Sequence, residues 1–477
     1  MTVAEEMPTT YSLQREIPIH DAGDVLVVGG GPAGIAAALA AARNGAETTL
    51  IERYGSLGGN LTAGLVGPCM TSYSLDGQQQ LIKGIFEEMI LRMEATGDAI
   101  HPSKVPASSA YCGFIEYGHD KVTPFEPEAV KIVAAEMLLE AGVSVRLHTS
   151  FADTMVEDGR VTGIITLSKS GFEGWRAGIT IDCSADADVA FRAGVETVQG
   201  RDEDQLTQPM TLFFRISGVD DDVVEAYVRE HPDDFRPFAS IVAEAREKGD
   251  FTIPRKGVGM YKTVRPGIWR INTTRLQRLD GTSASDLTTA EIEGRRQVVE
   301  LMRFFRAYLP GFERVELMDT AATMGVRETR RIIGEYTLSI DDLVTGRDFD
   351  DTVVLCGYPV DIHSPTDAGG GTTGEIPTAN IYQIPYRSLV PKTMDGLLVA
   401  GRCISASHEA LGAVRVMPPA FALGEAAGTA AAIAIEHRVQ PRDVRPNQLQ
   451  WTLVRNGAFL GDDVAQRVAR FALHGRS

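Results

Sequence analysis

The sequence predicts an α/β protein: a Rossmann-like parallel sheet with a β-meander crossover, and an inserted α+β substrate domain. Three observations carry this expectation. A glycine-rich turn sits between an apolar run and an Ala-rich helical segment near the N-terminus. β-Patterned segments joined by tight turns follow a second helical segment near residue 150. Strand and helix patterns then alternate through 206–319 with no second glycine fingerprint.

The stretch "DVLVVGGGPAGIAAALAAARNGAETTLIER" runs from Asp24 to Arg53. Its "VLVV" is continuously apolar, as a strand buried on both faces requires. Gly29, Gly31 and Gly34 follow in a G-x-G-x-x-G frame, with Pro32 and Ala33 between the last two. Gly29 permits the tight turn, Gly31 lets backbone approach a pyrophosphate, and Gly34 lets helix and strand pack closely. The helix N-terminus offers free N–H groups and partial positive charge to phosphates. Asn44-Gly45 is a good helix stop. The next strand, "TTLIE", ends on Glu52, placed to accept hydrogen bonds from an adenosine ribose, with Arg53 beside it. An acid there favours an unphosphorylated ribose, as in FAD or NAD. Gly58, Gly59 and Asn60 follow in "RYGSLGGNLTAG", suited to backbone running along an extended dinucleotide.

Further on, "EPEAVKIVAAEMLLEAG" has helical apolar spacing and "VSVRLHT" reads as a strand. "ADTMVEDGRVTGIITLS" and "RAGITIDCSADADV" read as a β-meander with turns at "EDG" and near Gly171–Gly174. A meander ahead of the closing strand is not the pattern of a plain NAD-dependent dehydrogenase.

Composition bounds the partners. A net charge of −18 opposes a nucleic-acid or anionic-membrane binder. The N-terminal segment does not read as a signal peptide, and the apolar run "GPAGIAAALAAA" is too short to span a bilayer. Five scattered cysteines (Cys69, Cys112, Cys183, Cys356 and Cys403) form no C-x-x-C or zinc spacing. They predict reduced thiols, no metal site and a cytoplasmic protein. A small-molecule substrate is expected, with homo-oligomerisation left open.

The chain resembles FAD-dependent oxidoreductases of the glutathione-reductase-like flavoprotein group, and within it a subgroup of mostly uncharacterised bacterial enzymes. The resemblance rests on the fingerprint and on "GVRETRRIIGEYTL", "IPYRSLVPKTMDGLLVAGRCISASHEA" and "RVMPPAFALGEAAGTAAA". It is weakest from about Gly200 to Asp319. It implies FAD as cofactor and a discontinuous FAD domain at 20–70, 125–205 and 320–440. The substrate domain would come from 71–124 and 206–319, and 441–477 would form a helical tail. Two departures stand out. Ser184-Ala185-Asp186 replaces the group's Thr-Gly-Asp, so Ala185 would meet the cofactor less closely than Gly. Met417-Pro418-Pro419-Ala420 replaces Met-Pro-Thr-Cys, which removes a cysteine role.

The resemblance also implies that Gly401 and Arg402 meet the pyrophosphate, and that Arg415 and the helix start at Pro419 face the isoalloxazine, where N-terminal amides would stabilise charge at N1/O2. "DAGGGTTGE" (Asp367 to Glu375) lacks a preceding strand, so no dedicated NAD(P)H domain is expected. Arg270, Asn272 and Thr274 alternate along one strand face, and Arg327, Arg330 and Arg331 form a basic cluster open to a carboxylate. His363, in a long polar loop, and His408, in "SASHEA", are the candidate bases. The expected activity is an oxidase or dehydrogenase moving hydride from a small organic substrate to flavin N5. The alternative is a flavin monooxygenase fed by external NAD(P)H.

Overall fold

The structure is a computed structural model that describes residues 11–366 and 375–474. Nearly all of the glycine-rich Asp367–Glu375 segment lies outside the described residues.

Five parallel strands form the central sheet, in the order Leu397–Val399, Ile179–Asp182, Val25–Val28, Thr48–Ile51 and Ser144–Arg146. Every residue of the Val25, Thr48 and Ile179 strands is buried, because both faces are covered. Val25, Val27, Leu50 and Ile181 point into the core beneath the helices. Leu26, Val28 and Ile51 point into a core beneath the meander. This is the period-two alternation of a pleated strand. The chain is therefore an α/β protein with a Rossmann-like parallel sheet.

Two helices pack unusually closely on the first face. A Cβ on Gly424 would lie 2.0 Å from the Ala33 carbonyl oxygen, and one on Gly428 would lie 2.1 Å from that of Ala37. These glycines, four residues apart, let helix Met417–His437 press on the backbone of the fingerprint helix Pro32–Arg43. By length and composition Met417–His437 could cross a membrane, but it is the core helix of this molecule, and 89% of its most apolar window is buried.

The meander comprises Ser150–Glu157, Arg160–Ser168 and Gly171–Arg176, paired antiparallel. A short N-terminal strand, Ile19–Asp21, adds to it in parallel; its three exposed residues give no alternation to read.

A second core lies under the antiparallel sheet Met260–Lys262, Trp269–Ile271, Phe214–Ser217 and Glu316–Thr320. Helices Asp221–Glu230, Ala239–Lys248 and Ala284–Tyr308 accompany it. Its centre is aromatic, with Phe214, Phe305, Phe312 and Trp269 in mutual ring contact. The 71–124 segment expected in this unit is divided: Ala110 and Phe114 pack against the second core, but helix Gly84–Ala95 does not. It buries Ile85, Phe86, Met89, Ile90 and Met93 in the core of the nucleotide-binding unit instead.

Candidate active site: a dinucleotide cradle beside an arginine-lined cavity

The fingerprint builds a cradle along the carboxyl ends of the parallel strands, the place where such sheets bind ligands. Gly29 has φ +104°, and a Cβ there would lie 2.4 Å from the Cys183 carbonyl oxygen. A Cβ on Gly34 would lie 1.7 Å from the Gly29 carbonyl oxygen, so Gly34 serves packing and does not line the cradle. Gly31 differs: a Cβ there would meet only the Cα of Gly59, 4.0 Å away. A Cβ on Gly59, in turn, would lie 3.0 Å from the Gly31 Cα, so the two glycines meet as bare backbone at the edge of the cradle. Gly31 caps the helix with no side-chain hydrogen bond, and no acid sits in the first turn. The first-turn amides are left for an anion.

Pro32, Ala33, Glu52, Arg53, Asn60, Ala185 and Gly401 also line this cradle of about 430 Å³. Glu52 is buried, accepting from the Gly30 N–H at 2.6 Å and the Tyr54 N–H at 2.8 Å. A carboxylate has capacity left for ribose hydroxyls. Ala185 has φ +74°, the left-handed region where a Cβ is strained.

Three sequence-based assignments are corrected here. Arg402 borders the cradle, but its guanidinium is committed to protein: Nε donates to the Ala185 carbonyl at 2.8 Å, and the other nitrogens bond the Val326 carbonyl and the Asp186 carboxylate. It clamps the strand end to the Ser184–Asp186 turn, so three of its five N–H groups go to protein and not to phosphate. Pro419 is the third residue of helix Met417–His437, two positions past the observed start, and lines neither cavity. Pro418 and Pro419 carry no N–H, and the Ala420 N–H is taken by the Val416 carbonyl at 3.2 Å. Of the expected donors only the Met417 amide remains, and Met417 borders both cavities. His408, the third, is a structural residue. It is buried, with Nδ1 2.8 Å from Glu328 Oε1, and Glu328 is itself paired with buried Arg331. It lines neither cavity.

The second cavity, about 170 Å³, abuts the cradle. Asn60, Val326, Arg402, Arg415 and Met417 line both. His363 is on its wall, with Nε2 3.4 Å from Asp361 Oδ2. Burial pushes this imidazole down to about 3, while Asp361 pulls it up and Arg327 pushes it further down. Arg415 Nη2 donates to the Asp361 carbonyl at 2.9 Å and lies 3.2 Å from its carboxylate; its Nε is buried with no partner among the described residues.

The basic trio separates. Arg327 faces this cavity, Arg330 pairs with Asp188 at 2.7 Å, and Arg331 is buried against Glu328. The Arg270 strand divides as well. Arg270 is buried over the Phe125 ring, Asn272 lines the cavity, and Thr274 Oγ1 bonds the Leu212 backbone.

Sequence reasoning missed Arg255, His119 and Asp361. His119 is buried, its Nδ1 3.2 Å from the Tyr117 carbonyl oxygen, and burial lowers its pKa. Asp361 lies two residues before His363, a readable signal, whereas Arg255, in the Pro/Gly loop "IPRKGVG", has no local signal for its role.

The fold and cradle define a dinucleotide-binding flavoenzyme. A family model, FAD dependent oxidoreductase, matches residues 24–453. The chain belongs to this FAD-dependent oxidoreductase family, and its cofactor is FAD. Among curated proteins, the thiamine thiazole synthase of Aeropyrum pernix is 31% identical over 31% of this chain and 44% of its own length. That of Desulfosudis oleivorans is 28% identical over 30% and 45%. The matched region thus spans less than half of these relatives. Similar solved structures include a geranylgeranyl bacteriochlorophyll reductase-like protein from Thermoplasma acidophilum, with TM-score 0.44, 15% identity, 94% of this chain and 91% of that one. The p-nitrophenol 4-monooxygenase from Pseudomonas putida gives TM-score 0.42 and 12% identity over 94% and 83%.

Proposed function

We propose that this flavoenzyme oxidises a small organic substrate in the second cavity, with His363 taking the substrate proton. Bound FAD supplies a two-electron acceptor at N5 for substrate hydride. Gly31, Gly59 and the first turn of the fingerprint helix would hold its pyrophosphate, and Glu52 its adenosine ribose.

The observation that carries the reading is the union of the two cavities. Asn60, Arg415 and Met417 border both, so a group bound beyond the cradle would meet a molecule beside His363. His363 is neutral at physiological pH, the form a base needs. Asp361, within 3.4 Å of Nε2, orients the ring and stabilises its charged form after proton uptake. Placement in the glutathione-reductase-like group is part of the same proposal, supported by the blocks at Gly325–Leu338, Ile384–Ala410 and Arg415–Ala432.

The test is anaerobic mixing of FAD-loaded protein with a metabolite panel, followed by flavin absorbance. Bleaching by one substrate class, without NAD(P)H, is the expected result. NAD(P)H oxidation stimulated by substrate, with oxygen entering the product, would establish the monooxygenase alternative instead.

A further inference from the structure

We propose that the second cavity binds a carboxylate-bearing organic anion, held by Arg255 and Arg327 on either side of Asn272. The inference names the substrate class for the oxidation reading above and rests on the same cavity.

The geometry starts at one amide oxygen. Arg255 Nη2 and Arg327 Nη2 each lie 3.3 Å from Asn272 Oδ1. Two guanidinium groups therefore converge on one neutral acceptor. Their remaining protein bonds also go to neutral oxygens: Arg255 to the carbonyls of Asn272 and Thr273, Arg327 to the Pro209 carbonyl and the Thr211 hydroxyl. Neither has a carboxylate within ion-pair distance among the described residues. Bringing two cations together away from water is costly unless an anion joins them.

The rest of the wall does not supply that anion. Among the described residues, Asp361 is the one acid lining the cavity, and it is shared by Arg415 at 3.2 Å, His363 at 3.4 Å and the Tyr358 hydroxyl at 3.4 Å. Arg236 and Lys256 add further cations to the wall, and neither forms an ion pair with an acid among the described residues. In a chain of net charge −18, this is a local construction. Burial depresses both guanidinium groups, Arg255 to about 10 and Arg327 well below its usual range, with neighbouring arginines adding to the effect. The charge is thus held at a cost that a ligand would repay.

Arginine forks match the planar, bidentate geometry of a carboxylate. Phe213, Val258 and Tyr261 supply apolar wall for a carbon skeleton. A bound anion would also offset the positive field around His363 and raise its basicity toward neutrality, where a general base works best.

The experiment uses oxidised, FAD-loaded protein without turnover. Short-chain, dicarboxylic and aromatic carboxylates are titrated beside their uncharged amides, with binding read by calorimetry and by the flavin spectrum. At least one carboxylate is expected to bind saturably and roughly tenfold or more tighter than its amide. Arg327→Gln and Arg255→Gln should each weaken that ligand about 10- to 100-fold, with flavin content and melting temperature confirming a folded protein. Arg255→Lys, which keeps charge but not the fork, should fall between. Amides binding as tightly as acids, no carboxylate binding, or inorganic sulfate binding as tightly as the best acid would each overturn the assignment. A protein that binds carboxylates but is reduced by none leaves this inference standing and defeats the oxidation reading; a neutral substrate that bleaches the flavin does the reverse.

Discussion

The cradle and the arginine-lined cavity share a boundary but are built in opposite ways. The cradle is backbone. Gly29, Gly31 and Gly34 lie within six residues of one another, and Glu52 closes the same βαβ unit. The cavity is side chains from distant segments: Arg255 and Asn272 from the antiparallel sheet region, Arg327 from the linker between strands Glu316–Thr320 and Arg330–Ile332, and Asp361 and His363 from a late loop. One site therefore tolerates almost no change in shape, and the other is open to change in chemistry. Substitutions in each should fail differently.

The largest effect is expected where backbone packs on backbone beneath the cradle. Gly428→Val puts a branched side chain 2.1 Å from the Ala37 carbonyl oxygen, with helix on both sides. Overpacking of that kind costs at least ~3 kcal/mol. Soluble yield and thermal melting should show a protein that does not fold stably. Gly31→Val separates the cofactor from the fold. Its Cβ would lie 4.0 Å from the Gly59 Cα, an ordinary contact, and the rest of the side chain would enter the cradle both residues line. The expected product has a native circular dichroism spectrum and close to no bound FAD. If it retains full flavin, Gly31 is not at the pyrophosphate.

On the cavity side, His363→Gln should leave folding and flavin content intact and lower kcat by roughly 10²- to 10⁴-fold, the usual contribution of a general base. His408→Gln is the matching control. Its ring partners Glu328, 80 positions away in sequence, and lines neither of the two cavities. It should lower stability by about 1–3 kcal/mol with kcat unchanged.

These two histidines show what was legible in the sequence. Gly29, Gly31, Gly34 and Glu52 could be read because the motif is local: strand, turn, helix and acid follow each other in the chain. His408 sits in as dense a block as any catalytic motif, but a partner 80 residues away decides its role. Arg402 is similar, since Asp186, which claims its guanidinium, is more than 200 positions distant. Arg255 was not singled out, because it acquires meaning only when Asn272 and Arg327 are brought to it. Local pattern carries backbone sites; side-chain sites assembled across the fold leave little periodic trace.

The cavity histidine also predicts a pH dependence. His363 has a folded pKa of about 3, below its unfolded value near 6.5. Below 6.5 the unfolded chain takes up a proton that the folded chain refuses. Stability is therefore full above about 6.5 and is lost progressively as pH falls toward 3. At pH 5 the loss from this group is roughly 2 kcal/mol. Denaturant melts at pH 7 and pH 5 should show wild type losing more than His363→Gln by about that amount. Equal losses would mean that the ring is not held neutral.

The smallest effect tests whether the cradle's backbone is strained by an alanine where the resemblance leads one to expect glycine. Ala185 has φ +74° and Ala187 has φ +54°, both in the left-handed region. An L-residue there costs about 1–2 kcal/mol. Glycine removes that strain but enlarges the freedom of the unfolded chain by about 0.4–1 kcal/mol. Ala185→Gly and Ala187→Gly should therefore each stabilise the protein slightly, by roughly 0.5 kcal/mol, the difference of these two terms. Only Ala185 lines the cradle, so only Ala185→Gly should also change FAD affinity, tightening it as the chain comes closer to the cofactor. Equal flavin affinities in the two variants would place residue 185 outside the cofactor contact and leave its φ as a feature of the turn alone.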